Sequence, residues 1–249
     1  MSTTEDSVAL IRRLDAVEAQ PGAAAMRARS YDLLRLPPGA AVADVGCGAG
    51  RAVAELAERG HRPVGLDPDD AMVATARVRW PELDFRAGRA EALPLADAAV
   101  AGYRADKVLH EVADTGSAMA EARRVLRPGG RIVLLGQDWD GILIDSDHPD
   151  LTRAIVHARA DGITNPRSAR GYRNILLDSG FHEVTVEAIL TVYTGTVMLP
   201  MLTGLVAAAR SRGVADDAAL DDWRAEQGRR AEQDRFFAAV PVFLASATR

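Results

Sequence analysis

The feature that most constrains this chain is the run Asp44-Val45-Gly46-Cys47-Gly48-Ala49-Gly50, which closes the short apolar stretch AVADV. An apolar run of that length, introduced by the Pro37-Pro38-Gly39 turn, suits a strand buried on both faces of a parallel sheet. Glycines at 46, 48 and 50 let the backbone bend sharply and approach a ligand closely, while a following helix presents unpaired amide N–H groups. Such a turn can cradle an anion. A dinucleotide fingerprint G-x-G-x-x-G counted from Gly46 and Gly48 would need glycine at 51, where the chain has Arg51, and the pyrophosphate reading is weakened accordingly. Gly65-Leu66-Asp67 then sets a carboxylate at the end of a second strand, where a doubly wound sheet offers acceptors to the two hydroxyls of a ribose. A nucleoside without a pyrophosphate fits both features.

Hydrophobic spacing and Gly/Pro punctuation extend the pattern in both directions. They predict helices over 7–19 and 23–35, then strand 41–45, helix 50–59, strand 63–67, helix 69–79, a weak strand near 83–86 and a strand near 99–104. A helix over 116–126, closed by Arg127-Pro128-Gly129-Gly130, leads into the strand RIVLLG. Past Asp150 the expectations are helices over 150–161 and 167–179, a strand in HEVTVEAILTVYT, helices over 197–212 and 216–234, and a closing strand in FFAAVPVFLASA. Strands alternating with helices imply an α/β fold: a doubly wound, mainly parallel seven-stranded sheet with helices on both faces. On this reading residues 1–249 form a single domain, with a helical cap over 1–36, a core over 40–150 and a helical lid insert over 196–235 before the last strand.

Composition narrows the partners. The 30 basic and 35 acidic residues give a net charge of −5, which provides no electrostatic footprint for nucleic acid. Cys47 is the single cysteine, so neither a disulfide framework nor a multi-cysteine metal site is available. The opening MSTTEDSVAL carries acids and no apolar run, unlike a signal peptide. The uncharged stretch Ala188–Ala209 contains Thr191, Thr194, Thr196, Thr203, Gly195, Pro200 and Gly204, which suits a strand followed by a helix rather than a membrane span. The expectation is a cytoplasmic protein with no membrane partner, with a homodimer left open.

The segments VADVGCGAG, GLDPDDAM, GRAEALPL and RVLRPGGRIVLL, in that order and spacing, resemble class I S-adenosylmethionine-dependent methyltransferases of the small-molecule type, related to ubiquinone, menaquinone and natural-product enzymes. The resemblance covers residues 40–136 well and the rest loosely. It implies S-adenosylmethionine as cofactor and S-adenosylhomocysteine as product. By it, Gly46, Gly48 and Gly50 would line the methionine moiety, Asp44 would sit near the sulfonium or amine, and Ala105 would contribute a backbone contact at that end. Asp67 would hold the ribose hydroxyls, Pro68 and Met72 would flank adenine, and Ala90 would offer its N–H to the ring. At position 89 such proteins commonly carry an acid that accepts from the adenine amine, whereas Arg89 can only donate, so adenine is held differently or Arg89 stacks on its face.

Methyl transfer from a sulfonium is an in-line displacement, for which the protein aligns donor and acceptor and excludes water. A base is needed where the acceptor loses a proton, as a hydroxyl would. His110, in VLHEVAD just past the fourth strand, is the candidate, and its position resembles that of the histidine in some sugar O-methyltransferases. Asp138 stands where those enzymes place an assisting acid, and the alternative for His110 is a helix-terminal residue bonded to backbone. Asp138, Asp140, Asp145, Asp147 and His148 also invite a metal reading, against which stands that of a loop with helix-capping acids, and no metal is assigned. Arg27 and Arg29 could reach the cofactor carboxylate or be solvated. Val197, Met198, Leu199, Met201, Leu202 and Leu205 read as packing or as a greasy acceptor pocket, together with Trp139, Tyr193 and Phe236. The expected activity is methylation of a small, apolar or aromatic metabolite, oxygen being the favoured atom. The alternatives are a protein that uses the cofactor structurally or in a non-methylating reaction, and an NAD-type oxidoreductase.

Overall fold

The computed structural model describes residues 21–249, and the helix expected over 7–19 lies outside the described residues. In chain order the elements are α1 (Pro21–Leu34), β1 (Ala41–Val45), α2 (Arg51–Glu58), β2 (Arg62–Asp67), α3 (Asp70–Arg79), β3 (Asp84–Ala87), β4 (Val100–Asp106), α4 (Thr115–Val125) and β5 (Leu126–Gln137). A 3-10 turn (Trp139–Gly141) follows, then β6 (Leu143–Ile144), α5 (Pro149–Ala160), α6 (Ser168–Asp178), β7 (His182–Tyr193), α7 (Leu199–Ser211), α8 (Asp217–Glu232) and β8 (Ala238–Thr248). The fold is α/β, as the alternation implies. Among the described residues the sheet has eight strands rather than seven, because the two-residue β6 adds itself antiparallel to β8.

Contacts divide the chain into two compact units. The first holds the described residues through Gly136, together with Gly171–Glu187 and Leu244–Arg249. Its strands β3, β2, β1, β4 and β5 lie side by side and parallel, in that order. The order reverses next to β1, so the carboxyl ends of β1 and β4 flank the topological switch point where open α/β sheets bind ligands. Asp44 is paired in register with Gly65 on one side and Arg104 on the other. Arg127-Pro128-Gly129-Gly130 does not merely close α4. These residues bulge out of β5, whose pairing with β4 jumps from Val100↔Leu126 to Gly102↔Arg131. The extra residues are held by Arg249, whose carbonyl accepts from Gly129 N and whose N–H donates to Gly130 O.

The second unit comprises Gln137–Arg170 and Ala188–Phe243. The residues expected to form a lid, 196–235, fall here and form α7 and α8. Met198, Leu202, Leu205 and Val206 of that segment are buried against Ile155, Trp223 and Phe236, with Val197, Leu199, Met201 and Tyr193 packed around them. The apolar side of the insert is therefore a packed core in its own right. Trp223 is fully buried, and its indole N–H donates to Thr152 Oγ1 at 2.8 Å.

The acid-rich loop is tied down by the same unit. Glu226, buried in α8, accepts from Ser146 Oγ and Asp147 N at 2.8 Å each and from Arg230 Nε at 2.7 Å. Arg230 also reaches Asp145 and Asp147, at 2.7 and 2.8 Å. Burial pushes the Glu226 carboxyl up, but the Asp147 amide, the Ser146 hydroxyl and Arg230 outweigh it and hold it below the usual carboxylate range. A folded-state value below the unfolded one means stability that is present above the unfolded pKa and lost as pH falls through the folded value. The urea midpoint of the wild type should therefore fall more steeply than that of Glu226→Gln between pH 7 and 3, the gap between the proteins closing in acid. Parallel curves would contradict this role.

Candidate cofactor and active site

The glycine turn adopts the conformation its composition requires. Gly46, Gly48 and Gly50 all have positive φ, at 71°, 51° and 86°. A Cβ at Gly46 would overlap the Val108 side chain, and one at Gly50 would overlap the Phe85 ring. At Gly48 a Cβ would meet nothing within 4 Å among the described residues, so that position borders space they leave open. The turn's own amides are largely consumed internally. Leu66 O accepts from Gly46 N at 2.7 Å and Cys47 N at 3.1 Å, and Cys47 O accepts from Gly50 N at 3.0 Å. What the segment leaves for a ligand is the first-turn amides of α2, which have no intrahelical acceptors.

Asp67, at the end of β2, is buried and fastens the turn from the opposite side. Its Oδ2 accepts from Gly48 N at 2.8 Å and its Oδ1 from Asp69 N at 2.9 Å. Each oxygen keeps a further lone pair, so the carboxylate can orient the turn and still accept from a vicinal diol. Asp69 in turn caps α3, accepting from Ala71 N at 2.8 Å. Pro68 is exposed and Met72 half-buried along the same edge. Ala90 is buried, and Arg89 beside it extends into solvent with its guanidinium 3.4 Å from Glu91. Helix amides that can donate to an anionic end, beside a carboxylate that can accept from a diol, suit a nucleoside carrying an amino-acid end.

Beneath the turn lies a polar cluster that the sequence reading resolved only in part. β4 runs two residues past the end expected near 104, so Arg104, Ala105 and Asp106 all belong to it, and Ala105 is buried. Arg104 is 2% exposed and donates to Asp44 Oδ1 at 2.7 Å, to Asp106 Oδ2 at 2.8 Å and to Ser30 Oγ at 2.8 Å. Its guanidinium lies 5.3 Å from the Tyr31 ring centre. Burial works against the charge, but Asp44 and Asp106 more than offset it and hold the Arg104 pKa above its ordinary value. Arg27 and Arg29 are both engaged: Arg27 forks onto Glu55 at 2.9 and 3.2 Å, and Arg29 onto Glu187. Cys47 packs with Val53, Val73 and Phe85, and burial, aided by Asp44 and Asp67, raises its thiol pKa, so it is a packing residue and not a nucleophile.

His110 and Asp138 are not in the same compact unit. His110 is largely buried, with Nε2 3.2 Å from Glu111 Oε1. Asp138 is 1% exposed, and its oxygens accept from Arg170 Nη2 at 2.7 Å, from Arg170 Nε and from Asp140 N at 3.1 Å. Arg167 holds Asp140 at 2.9 Å. The carboxylates around Asp138 thus have arginine partners, and among the described residues no group of three or more His, Cys, Asp or Glu is arranged to hold a metal ion. Arg170 was missed in the sequence because nothing local marks it; Asp138 and Arg170 are 32 residues apart.

Residues 43–134 match the family model described as a methyltransferase domain. The chain is 35% identical over 236 residues to an uncharacterized 37.1 kDa protein in a transposon of Streptomyces fradiae, covering 87% of this chain and 66% of that one. It is 37% identical over 108 residues to a demethylmenaquinone methyltransferase from Beutenbergia cavernae, covering 43% and 45%. The chain thus spans about two thirds of the length of one relative and under half of the other. Among solved structures, a putative methyltransferase from Bacillus halodurans shares the fold, with a TM-score of 0.61 at 18% identity over 89% of this chain and 97% of that one.

The turn geometry makes one position decisive. Gly46→Ala has to move the Val108 side chain and to hold an L-residue at positive φ, a strain of about 1–3 kcal/mol. It should lower the urea midpoint and weaken S-adenosylhomocysteine binding measured by calorimetry. Gly48→Ala, with open space at its Cβ, should lose binding with a smaller change in midpoint. Unchanged binding in both variants would contradict the assignment of this turn.

Proposed function

We propose that this chain, whose core is a class I S-adenosylmethionine-dependent methyltransferase domain, methylates a small, apolar or aromatic metabolite, with oxygen the favoured acceptor atom. The observation that carries the reading is the turn at 46–50 locked to Asp67, with Gly48 bordering open space at the switch point of the sheet. When bound, the cofactor supplies an electrophilic methyl group on a sulfonium. The protein's share is binding, alignment and exclusion of water.

On this reading Asp67 accepts from the ribose hydroxyls, Pro68 and Met72 flank adenine, and Ala90 offers its amide to the ring. Arg89, exposed and 3.4 Å from Glu91, would stack over the adenine face in place of an acid accepting from its amine. The carbonyls of the glycine turn and of Ala105, with the α2 amides, receive the amino-acid end. His110 takes the proton from an acceptor hydroxyl, with Glu111 beside it to stabilise the imidazolium. Asp138 has both oxygens engaged by Arg170 and caps the 138–141 turn, which favours Glu111, beside His110, over Asp138 as the assisting acid.

Titration calorimetry with S-adenosylhomocysteine is the first test. The wild type should bind, and Asp67→Ala should bind at least about tenfold more weakly, since a hydrogen bond to a charged group is worth about 1.5–3 kcal/mol. No binding at millimolar ligand would overturn the reading. For the base, His110→Ala should lower the rate of methyl transfer to a hydroxyl acceptor by about 10²–10⁴-fold with cofactor affinity intact. Full activity in that variant would remove His110 from the chemistry.

A further inference from the structure

Arg159, near the end of α5, lies over the Trp139 ring with its guanidinium carbon 5.0 Å from the ring centre. Both residues are half-buried and belong to the second unit. The ring supplies a cation–π contact and accepts no in-plane hydrogen bond, so it engages the charge and not the N–H donors. Those donors have no acceptor and no acid partner among the described residues. A guanidinium placed in this way offers a carboxylate or a phosphate a pair of parallel N–H groups.

The acids that could neutralise Arg159 are taken by other arginines. Asp138 accepts from Arg170 at 2.7 Å and Asp140 from Arg167 at 2.9 Å. Asp161, which follows α5, adjoins Arg212, whose Nη2 donates to the Asp161 carbonyl at 2.7 Å. Four guanidiniums thus share three carboxylates, an excess of one positive charge, and His157, 4.0 Å from Asp140, adds to it when protonated. The stretch carrying Arg167 and Arg170 is fastened to the turn by backbone as well, since Trp139 N donates to Pro166 O at 3.1 Å. Within it Ser168 Oγ is buried and has no hydrogen-bond partner among the described residues. A native structure keeps such a hydroxyl where a ligand or an ordered water completes it. The chain as a whole carries a net charge of −5, so this positive excess is local and suits a small anion rather than a polyanion.

We infer that Arg159, seated on Trp139, binds a carboxylate or phosphate group of the methyl acceptor. In chain order the turn that holds Trp139 directly follows β5, and segments that follow the carboxyl ends of parallel strands are where open α/β sheets bind ligands. The inference rests on the methyl-transfer reading above and adds a charge to it: the small acceptor is an acid. Trp139 is a positioning residue, since it holds the guanidinium and leaves its donors to the ligand.

The test uses probes that differ in charge at nearly constant shape. Calorimetry at fixed ionic strength compares benzoate, neutral benzyl alcohol and inorganic phosphate on the wild type, Arg159→Gln and Arg159→Lys, with S-adenosylhomocysteine titrated into each protein separately. The wild type should bind benzoate at least about tenfold more tightly than benzyl alcohol, as a charge-assisted pair requires. Arg159→Gln should lose that preference and leave the affinities for benzyl alcohol and S-adenosylhomocysteine unchanged. Arg159→Lys keeps the charge without the fork and should weaken benzoate at least about threefold. Phosphate bound as tightly as benzoate supports a phosphorylated acceptor, and phosphate bound more weakly supports a carboxylic acid. If the wild type binds neither anion at millimolar concentration, or the tenfold preference persists in Arg159→Gln, the inference is overturned while S-adenosylhomocysteine binding keeps the cofactor reading intact. A wild type that binds benzoate but not S-adenosylhomocysteine would overturn the cofactor reading instead.

Discussion

The ligand edge of this sheet depends on a buried ion pair. Asp44 and Arg104 face each other in register on adjacent parallel strands, each no more than 2% exposed. Neither could be buried alone, because an isolated charge at that depth costs several kcal/mol, and breaking such a pair from one side costs about 3–5 kcal/mol. The pair is therefore self-enforcing: it aligns β1 with β4, and through them the turn at 46–50 with the strand end at Asp106. Ser30 and Tyr31 extend the cluster to α1, so the helix before the first strand is fastened to the same charge.

A second constraint acts on the turn from β2. Asp67 spends one lone pair of each oxygen on Gly48 and Asp69, and Leu66 O gathers the amides of Gly46 and Cys47. The turn is preformed by its own backbone groups, so binding a nucleoside has little ordering entropy to offset. That logic also explains the residue types. Only glycine allows the Val108 and Phe85 side chains to close on positions 46 and 50 at positive φ.

Much of this was legible in the sequence because it is local. β1 spans Ala41–Val45 as its apolar run implies, and the helix starts follow their caps, Asp69 before α3 and Asp114 before α4. What was not legible is long-range. The RPGG segment reads as a helix stop, yet it bulges within β5 because Arg249, more than 100 residues later, supplies its hydrogen bonds. β6 is two residues long, too short for any periodicity, and exists only through its pairing with Ala238 and Ala239. Asp138 reads as an acid, but its partner Arg170 lies 32 residues on, where no local pattern joins them. Arg104 carried a usable signal: a charge inside a buried parallel strand requires a partner, and Asp44 on the neighbouring strand was the available acid.

The central claim is that the turn at 46–50 and the carboxylate at 67 together grip a sulfonium nucleoside. A crystal structure grown with S-adenosylhomocysteine tests it most directly. The account predicts the ribose hydroxyls within hydrogen-bonding distance of Asp67 and the amino-acid end against the glycine turn. A ligand bound elsewhere on the molecule, or a dinucleotide that displaces it with its pyrophosphate lying across the turn, would contradict the account.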